Sequence, residues 1–170
     1  MTVKIVQNAY VVQNLEQKCQ ELYDQFDIGP FVLAENLELA EHRYRGRSAE
    51  TVILDAAFAQ SGDLNIEIIQ VKSSGDNAFY DMFPTGSGFH HVAYFCDRYG
   101  EERDRLIGLG YPVASEFSIG EGIEVCYVDT RPMFGHMVEL YPKDGLLLGL
   151  YEKVRNIRDS WDGQTLLLPW

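Results

Sequence analysis

Four polar side chains stand in otherwise apolar segments and are of types that bind divalent cations. They are Gln7, Glu67, His91 and Glu139. Buried together without a cation, two carboxylates and an imidazole would repel one another or lack partners. One imidazole, two carboxylates and one amide oxygen suit Zn²⁺, Mn²⁺, Ni²⁺, Co²⁺ or Fe²⁺. If these side chains meet, they predict a divalent metal site.

The segments that carry these residues recur in two halves of the chain. Apolar openings at Lys4–Val12 and Gly88–Cys96 are each followed by residues at helical spacing, which predict helices over Leu15–Phe26 and Tyr99–Leu109. Three strand-like runs follow in each half: Phe31–Arg43, Thr51–Ala59 and Asn65–Val71, then Val113–Ile119, Ile123–Asp129 and His136–Tyr141. Superposing the halves places Gln7 on His91 and Glu67 on Glu139, so pseudo-symmetric strands would bring all four together.

This pattern predicts an α+β fold in which tandem βαβββ modules form one curved mixed sheet. We expect a single domain over residues 1–170, with modules at 1–74 and 89–142 joined by a connector at 75–88. Residues 143–170 are expected to form a C-terminal helix, from about Gly145 to Arg158, and an irregular tail. Within the connector, Asn77–Phe83 is interpreted as a short helix that covers the core.

Strand alternation also predicts which histidines are not ligands. His90 and His136 lie an odd number of residues from His91 and Glu139, so we expect them on the opposite face of their strands. The alternative interpretation needs no metal: a glutamate in a strand can be the solvent-facing half of an alternating pattern, and a histidine can be a hydrogen-bonded core residue. The symmetric set of four favours the metal site.

Composition limits the partners. The chain has 170 residues with 26 acidic against 14 basic side chains, a net charge of −12, which disfavours binding to nucleic acid or to membrane surfaces. The three cysteines have no CxxC spacing, no apolar run approaches a membrane span, and the first residues are not signal-like. We therefore expect a cytoplasmic protein that acts on a small molecule. We also expect a homodimer, which composition does not decide.

Further side chains are candidates for substrate binding. Arg43 and Arg45 lie in a basic cluster, His42–Arg47, that could anchor an anion or simply be a solvated hairpin end. Arg131 could reach the substrate or form a local pair with Asp129 that holds a turn. Tyr94 and Tyr127 could line an apolar pocket.

Two motifs carry a resemblance to a known family. GFHHVAY at 88–94 opens the second half, and GHMVELY at 135–141 closes it. With the tandem βαβββ plan over Lys4–Tyr141, the chain resembles the vicinal oxygen chelate superfamily, which includes glyoxalase I, methylmalonyl-CoA epimerase, extradiol dioxygenases and bleomycin-resistance proteins. The resemblance implies the same metal set, Gln7, Glu67, His91 and Glu139, as in zinc-type glyoxalase I, whereas Gly-Phe-His-His is more similar to the epimerase.

Departures from the family patterns disfavour two of the family's activities. Val11 and Ser87 stand where glyoxalase I has arginines that hold glutathione, which disfavours glutathione as the substrate. Gln7 stands where extradiol dioxygenases have a first histidine, which disfavours ring cleavage. The resemblance implies a metal-dependent isomerase, epimerase or lyase that acts on a small carbonyl, carboxylate or aromatic compound through an enolate-like intermediate. Glu139 is expected to be the base, with Glu67 as the second choice. The alternatives are a metal-free binding protein of the bleomycin-resistance type and a ring-cleaving dioxygenase.

Overall fold

The computed structural model describes residues 3–170, which form one curved sheet with flanking helices. The first half contains β1 (Gln7–Val11), α1 (Leu15–Phe26), β2 (Phe31–Tyr44), β3 (Arg47–Ser48), β4 (Val52–Ser61) and β5 (Leu64–Val71), followed by α2 (Ala78–Met82). The second half contains β6 (Gly88–Cys96), α3 (Tyr99–Gly108), β7 (Val113–Ile119), β8 (Ile123–Val128), α4 (Arg131–Phe134) and β9 (Met137–Pro142). The chain continues through α5 (Gly145–Ser160) to β10 (Leu167–Pro169).

The strand order confirms the predicted α+β fold of two βαβββ modules. Neighbouring strands follow the order β10-β2-β4-β5-β1-β6-β9-β8-β7, and β3 pairs with β2. The opening strands of the two halves, β1 and β6, lie side by side and antiparallel. The ends of the path also meet, because β2 pairs with β7 through residues such as Ala40 and Ser118. The sheet is therefore closed.

Helices α1 and α3 cover the outside of the sheet, and apolar side chains fill its inside. Leu15 and Cys19 of α1 pack with apolar residues of β4 and β5, while Leu106 of α3 packs with those of β6 and β9. The inner cluster also includes Tyr151 and Val154 of α5, so this helix closes over the inner face. The polar side chains of the site lie in this inner layer.

Several segments differ from the sequence prediction. Leu167–Pro169 forms strand β10, parallel to β2, where an irregular end was expected. Arg131–Phe134 forms one turn of helix, where a simple turn was expected. His136 precedes β9 instead of belonging to it. The short helix expected within Asn77–Phe83 is present as α2. In the described part of the chain, 3–170, no helix combines the length and apolarity needed to cross a membrane.

Candidate metal centre

Three of the four predicted ligands converge on the inner face of the sheet. Glu67, His91 and Glu139 each direct one ligand atom into a space in which these atoms lie within 4.8 Å of one another. Nε2 of His91 is 3.0 Å from Oε2 of Glu139 and 3.5 Å from Oε2 of Glu67. The His91 side chain is 0% exposed, that of Glu139 5% and that of Glu67 10%. We call these three residues the triad.

The strand register explains why they meet. In the central β1–β6 pair, Gln7 is opposite Ala93 and Ala9 is opposite His91. Ala9 is also opposite Glu67 on β5, and Ala93 is opposite Glu139 on β9. These pairings reproduce the equivalence of the two halves that the sequence predicts. The small alanine side chains leave room between the strands for the larger polar groups around them.

Burial and charge set the protonation of the triad. Burial alone would lower the pKa of His91, but the charges of Glu139 and Glu67 outweigh it and raise the pKa to about 9. Burial raises the pKa of Glu67, against the lowering effect of His91 and with the support of Glu139. Without a metal, His91 is therefore an imidazolium at neutral pH that partly compensates two carboxylates.

The triad fits a divalent cation by its donor set and by its unpaired atoms. Among residues 3–170, neither Nε2 of His91 nor Oε2 of Glu139 makes a hydrogen bond of good geometry, although both atoms are buried. Buried polar atoms normally have hydrogen-bond partners. Two such atoms that lie close together without one indicate that a partner, such as a cation, belongs between them. An imidazole with two carboxylates would satisfy Zn²⁺, Mn²⁺, Fe²⁺ or a similar ion.

Gln7, the fourth predicted ligand, lies on the same face and is fully buried. Its Nε2 donates to Oδ1 of Asn65 at 3.1 Å, and its Oε1 accepts from the Tyr141 hydroxyl at 3.0 Å. A carbonyl oxygen has a second lone pair, so this bond to Tyr141 leaves Oε1 able to bind a cation. Ligation by Gln7 stays a prediction.

The position of the His90 side chain shows that one prediction from the sequence is wrong. Alternation was expected to place His90 on the face opposite His91, but the β1–β6 register shifts at this point, with Ala9 opposite His91 and Tyr10 opposite Phe89. His90 is the extra residue of this bulge and is fully buried. Its Nδ1 lies 2.8 Å from Nδ1 of His91, so both rings are on the inner side. His136 is outside the triad, with its Nδ1 2.8 Å from the Met137 carbonyl oxygen.

The two predicted tyrosines have different surroundings. Tyr127 is opposite Glu139 in the β8–β9 pair, and its ring centroid lies 4.9 Å from that of His91. Burial, with the charges of Glu139 and Glu67, raises the pKa of Tyr127 well above its usual value, so its phenol stays protonated beside the triad. Tyr94 instead packs under α3 on the outer face, where its hydroxyl donates to Glu102 at 2.6 Å. A substrate-binding role for Tyr94 does not fit this placement.

The predicted arginines are largely occupied by ion pairs. Arg45 contacts Asp81 at 2.5 Å and Asp129 at 2.9 Å, and Arg131 contacts Asp129 at 2.7 Å. The local pair of Asp129 with Arg131, one of the two alternatives for this segment, is therefore present. Arg43 lies 4.0 Å from Glu116 at the β2–β7 seam, beside a cleft of about 450 Å³ whose described lining includes no triad residue. No sequence signal indicated that Asp81 and Asp129 would neutralise Arg45.

Trp170 lies beside a residue that pairs with Glu67, a placement that the sequence did not suggest. Phe58 is opposite Glu67 in the β4–β5 pair, and the ring of Trp170 lies 6.2 Å from that of Phe58. The amide nitrogen of Trp170 donates to the Leu33 carbonyl, and Nζ of Lys153 lies 4.3 Å from the Trp170 ring.

Comparisons with known proteins agree with this fold. Residues 6–127 match the family model described as the Glyoxalase/Bleomycin resistance protein/Dioxygenase superfamily. The uncharacterized protein YqjC of Bacillus subtilis is 23% identical over 94 residues, which are 54% of this chain and 67% of that protein. A hypothetical protein from Bacillus halodurans C-125 has a TM-score of 0.59 at 15% identity, covering 85% of this chain and 96% of its own. Methylmalonyl-CoA epimerase from Mycobacterium tuberculosis has a TM-score of 0.54 at 12% identity, with 85% and 91% covered.

Proposed function

Because the chain belongs to the glyoxalase, bleomycin-resistance protein and dioxygenase superfamily, we propose that it is a metal-dependent isomerase, epimerase or lyase. Its substrate would be a small carbonyl, carboxylate or aromatic compound. The observation that carries the proposal is the triad: two buried carboxylates and an imidazole, in which Nε2 of His91 and Oε2 of Glu139 lack hydrogen-bond partners within the described chain. Burying charged groups in this way lowers the stability of the fold, which indicates that the cluster has a functional role.

His91, Glu67 and Glu139 would hold the cation, with Gln7 as the fourth ligand. When bound, the cation supplies Lewis-acid stabilisation of negative charge on a substrate oxygen. The chain supplies the proton transfer. Glu139 is our first choice for the base because its Oε2 has no hydrogen-bond partner among residues 3–170. Glu67 is the second choice because burial raises its pKa and makes it more basic.

The surroundings of the triad suit proton abstraction. Low exposure keeps water away from the carboxylates, which would strengthen their electrostatic attraction to a bound cation. The protonated Tyr127 phenol beside Glu139 offers a hydrogen-bond donor to a substrate oxygen. The neighbouring structures that are methylmalonyl-CoA epimerases support an epimerase-type reaction only through their fold, at 10–12% identity.

The first test is metal analysis of protein purified without chelators, followed by solvent deuterium exchange into a panel of small carbonyl compounds. We expect stoichiometric divalent metal and metal-dependent exchange. Protein that neither retains nor takes up a divalent metal, yet still binds a small molecule, would contradict the proposal and favour the metal-free binding protein.

Three variants then assign the roles. Glu139→Gln keeps an oxygen at the site and should retain metal, while exchange should fall by about 10²–10⁴-fold, as is typical when a general base is lost. Glu67→Gln should weaken metal binding and cost less in turnover. The control Glu124→Gln makes the same change of charge at an exposed position of β8 and should behave as the wild type. If Glu67→Gln alone abolishes exchange at full metal occupancy, Glu67 is the base.

A further inference from the structure

Next to the triad, two histidines and a backbone carbonyl form a hydrogen-bonded chain. Nδ1 of His91 lies 2.8 Å from Nδ1 of His90, and Nε2 of His90 lies 3.1 Å from the carbonyl oxygen of Ala78. Both rings are fully buried. Phe79 and Tyr127 hold the His90 ring in place, with centroids 4.7 Å and 5.3 Å away.

The chemistry of these atoms fixes where the protons are. A carbonyl oxygen only accepts, so Nε2 of His90 must carry the hydrogen that reaches Ala78. In a neutral His90 the Nδ1 atom is then bare and accepts, which requires Nδ1 of His91 to donate. In the neutral form of His91 the remaining nitrogen, Nε2, therefore has a free lone pair. That atom is the one that faces Glu67 and Glu139.

The position of the Ala78 carbonyl is itself determined by local structure. Ala78 is the first residue of α2, and the Asn77 side chain caps this helix by accepting from the amides of Phe79 and Tyr80 at 3.0 Å. The Asn77 amide also donates to the Gly75 carbonyl at 3.0 Å. Arg131 donates to the Asp81 carbonyl of the same helix at 2.9 Å. These bonds hold α2, and with it the end of the histidine chain, against the sheet.

We propose that His90 is a positioning residue, which fixes His91 in the tautomer and ring orientation that present Nε2 to a divalent cation. The inference rests on the proposed function only in that a cation binds the triad. It assigns a role to the bulge in β6, because a regular strand would place His90 on the outer face. Groups that hold the second nitrogen of a metal-binding histidine typically contribute 10–100-fold to metal affinity.

Matched variants separate the hydrogen bond from packing. His90→Phe keeps a ring beside Phe79 and Tyr127 but cannot accept from His91. His90→Asn keeps an acceptor oxygen near the place of Nδ1. We expect Zn²⁺ affinity, measured by chelator competition, to fall about 10–100-fold in His90→Phe and to recover to within about threefold of the wild type in His90→Asn. The control His136→Phe makes the same replacement outside the histidine chain and should leave the affinity unchanged.

A second measurement needs neither a variant nor a metal. In ¹⁵N-histidine spectra of the wild-type protein freed of metal, we expect Nε2 of His90 to be protonated and Nδ1 to be bare. The opposite tautomer of His90 would overturn the inference, as would wild-type affinity in His90→Phe or equal losses in His90→Phe and His90→Asn. If the wild type binds no Zn²⁺ while His90 has the expected tautomer, the proposed function fails and the histidine chain stands.

Discussion

Raising the pH should destabilise the protein when its metal has been removed, and Glu139 should be responsible for much of this effect. The pKa of His91 is raised from 6.5 to about 9 because Glu139 and Glu67 outweigh the opposing effect of burial. A raised pKa stabilises the folded state fully below about 6.5, and this contribution is lost as the pH rises through about 9. A shift of this size corresponds to about 3 kcal/mol of unfolding free energy.

Two further histidines oppose this loss at its lower end, because burial lowers the pKa of His42 and of His90 and the stability that they cost at low pH is regained as the pH rises through about 6.5. Other groups add to the loss. Burial raises the pKa of Glu67 above 4.5, so its contribution to stability begins to fall at a lower pH. Burial likewise raises the pKa of the thiols of Cys19, Cys96 and Cys126 to about 12, which destabilises the folded state above a pH of about 9. The loss from His91 therefore dominates at pH values above 6.5, where the other two histidines are already neutral in the unfolded chain, and it extends to about 9.

Urea unfolding in the presence of a chelator, at several pH values across this window, measures the effect. Glu139→Gln removes the carboxylate that raises the pKa of His91 more strongly. The unfolding free energy of this variant should therefore fall less steeply with pH than that of the wild type. Glu124→Gln, an exposed glutamate on β8, is the matched control and should keep the wild-type slope. A wild-type stability that is flat or rises across the window, or equal slopes in the two glutamate variants, would refute this account of the triad.

Three further predictions concern the surroundings of the triad. Binding of Zn²⁺ at neutral pH should release about one proton per ion, because the His91 imidazolium must lose its proton, and calorimetry in buffers of different ionisation enthalpy measures this number. Tyr94→Phe should cost about 1 kcal/mol of unfolding free energy, because it removes the hydrogen bond to Glu102, and should leave metal affinity unchanged. Trp170→Ala should accelerate removal of bound metal by a chelator, because it uncovers Phe58, the residue opposite Glu67 in the β4–β5 pair, while the equilibrium affinity stays within about threefold.

The sequence predicted the fold well where local patterns and tertiary packing agree. The helix over Leu15–Phe26 and the strands over Gly88–Cys96 and Val113–Ile119 have the predicted bounds. In these segments an apolar period of helix or strand is bounded by a turn signal, so local and tertiary preferences coincide. The repeat also allowed long-range contacts to be predicted, because equivalent strands of the two modules occupy equivalent places in one closed sheet. Convergence of Glu67 with Glu139 follows from that symmetry.

What the sequence missed depends on single insertions and on long-range pairing. The alternation rule fails at His90 because one extra residue in the ladder reverses the direction of the side chain. Arg45 is separated by 36 residues from Asp81 and by 84 from Asp129. No local sequence pattern therefore predicts that these aspartates neutralise the Arg45 guanidinium. Strand β10 pairs with the beginning of β2 from the other end of the chain, and its three residues are too few to give a periodic signal.

The triad can remain in the core without a metal because a proton can take the place of the cation. Two carboxylates with an imidazolium leave one uncompensated negative charge, whereas the same carboxylates with a neutral histidine balance a divalent cation. The apolar cluster on the inner face and the clusters under α1 and α3 surround this charge with enough buried surface for the fold to tolerate it. Under the proposed function, the binding energy of a cation at the triad would be available for holding a substrate oxygen against the carboxylate that takes the proton.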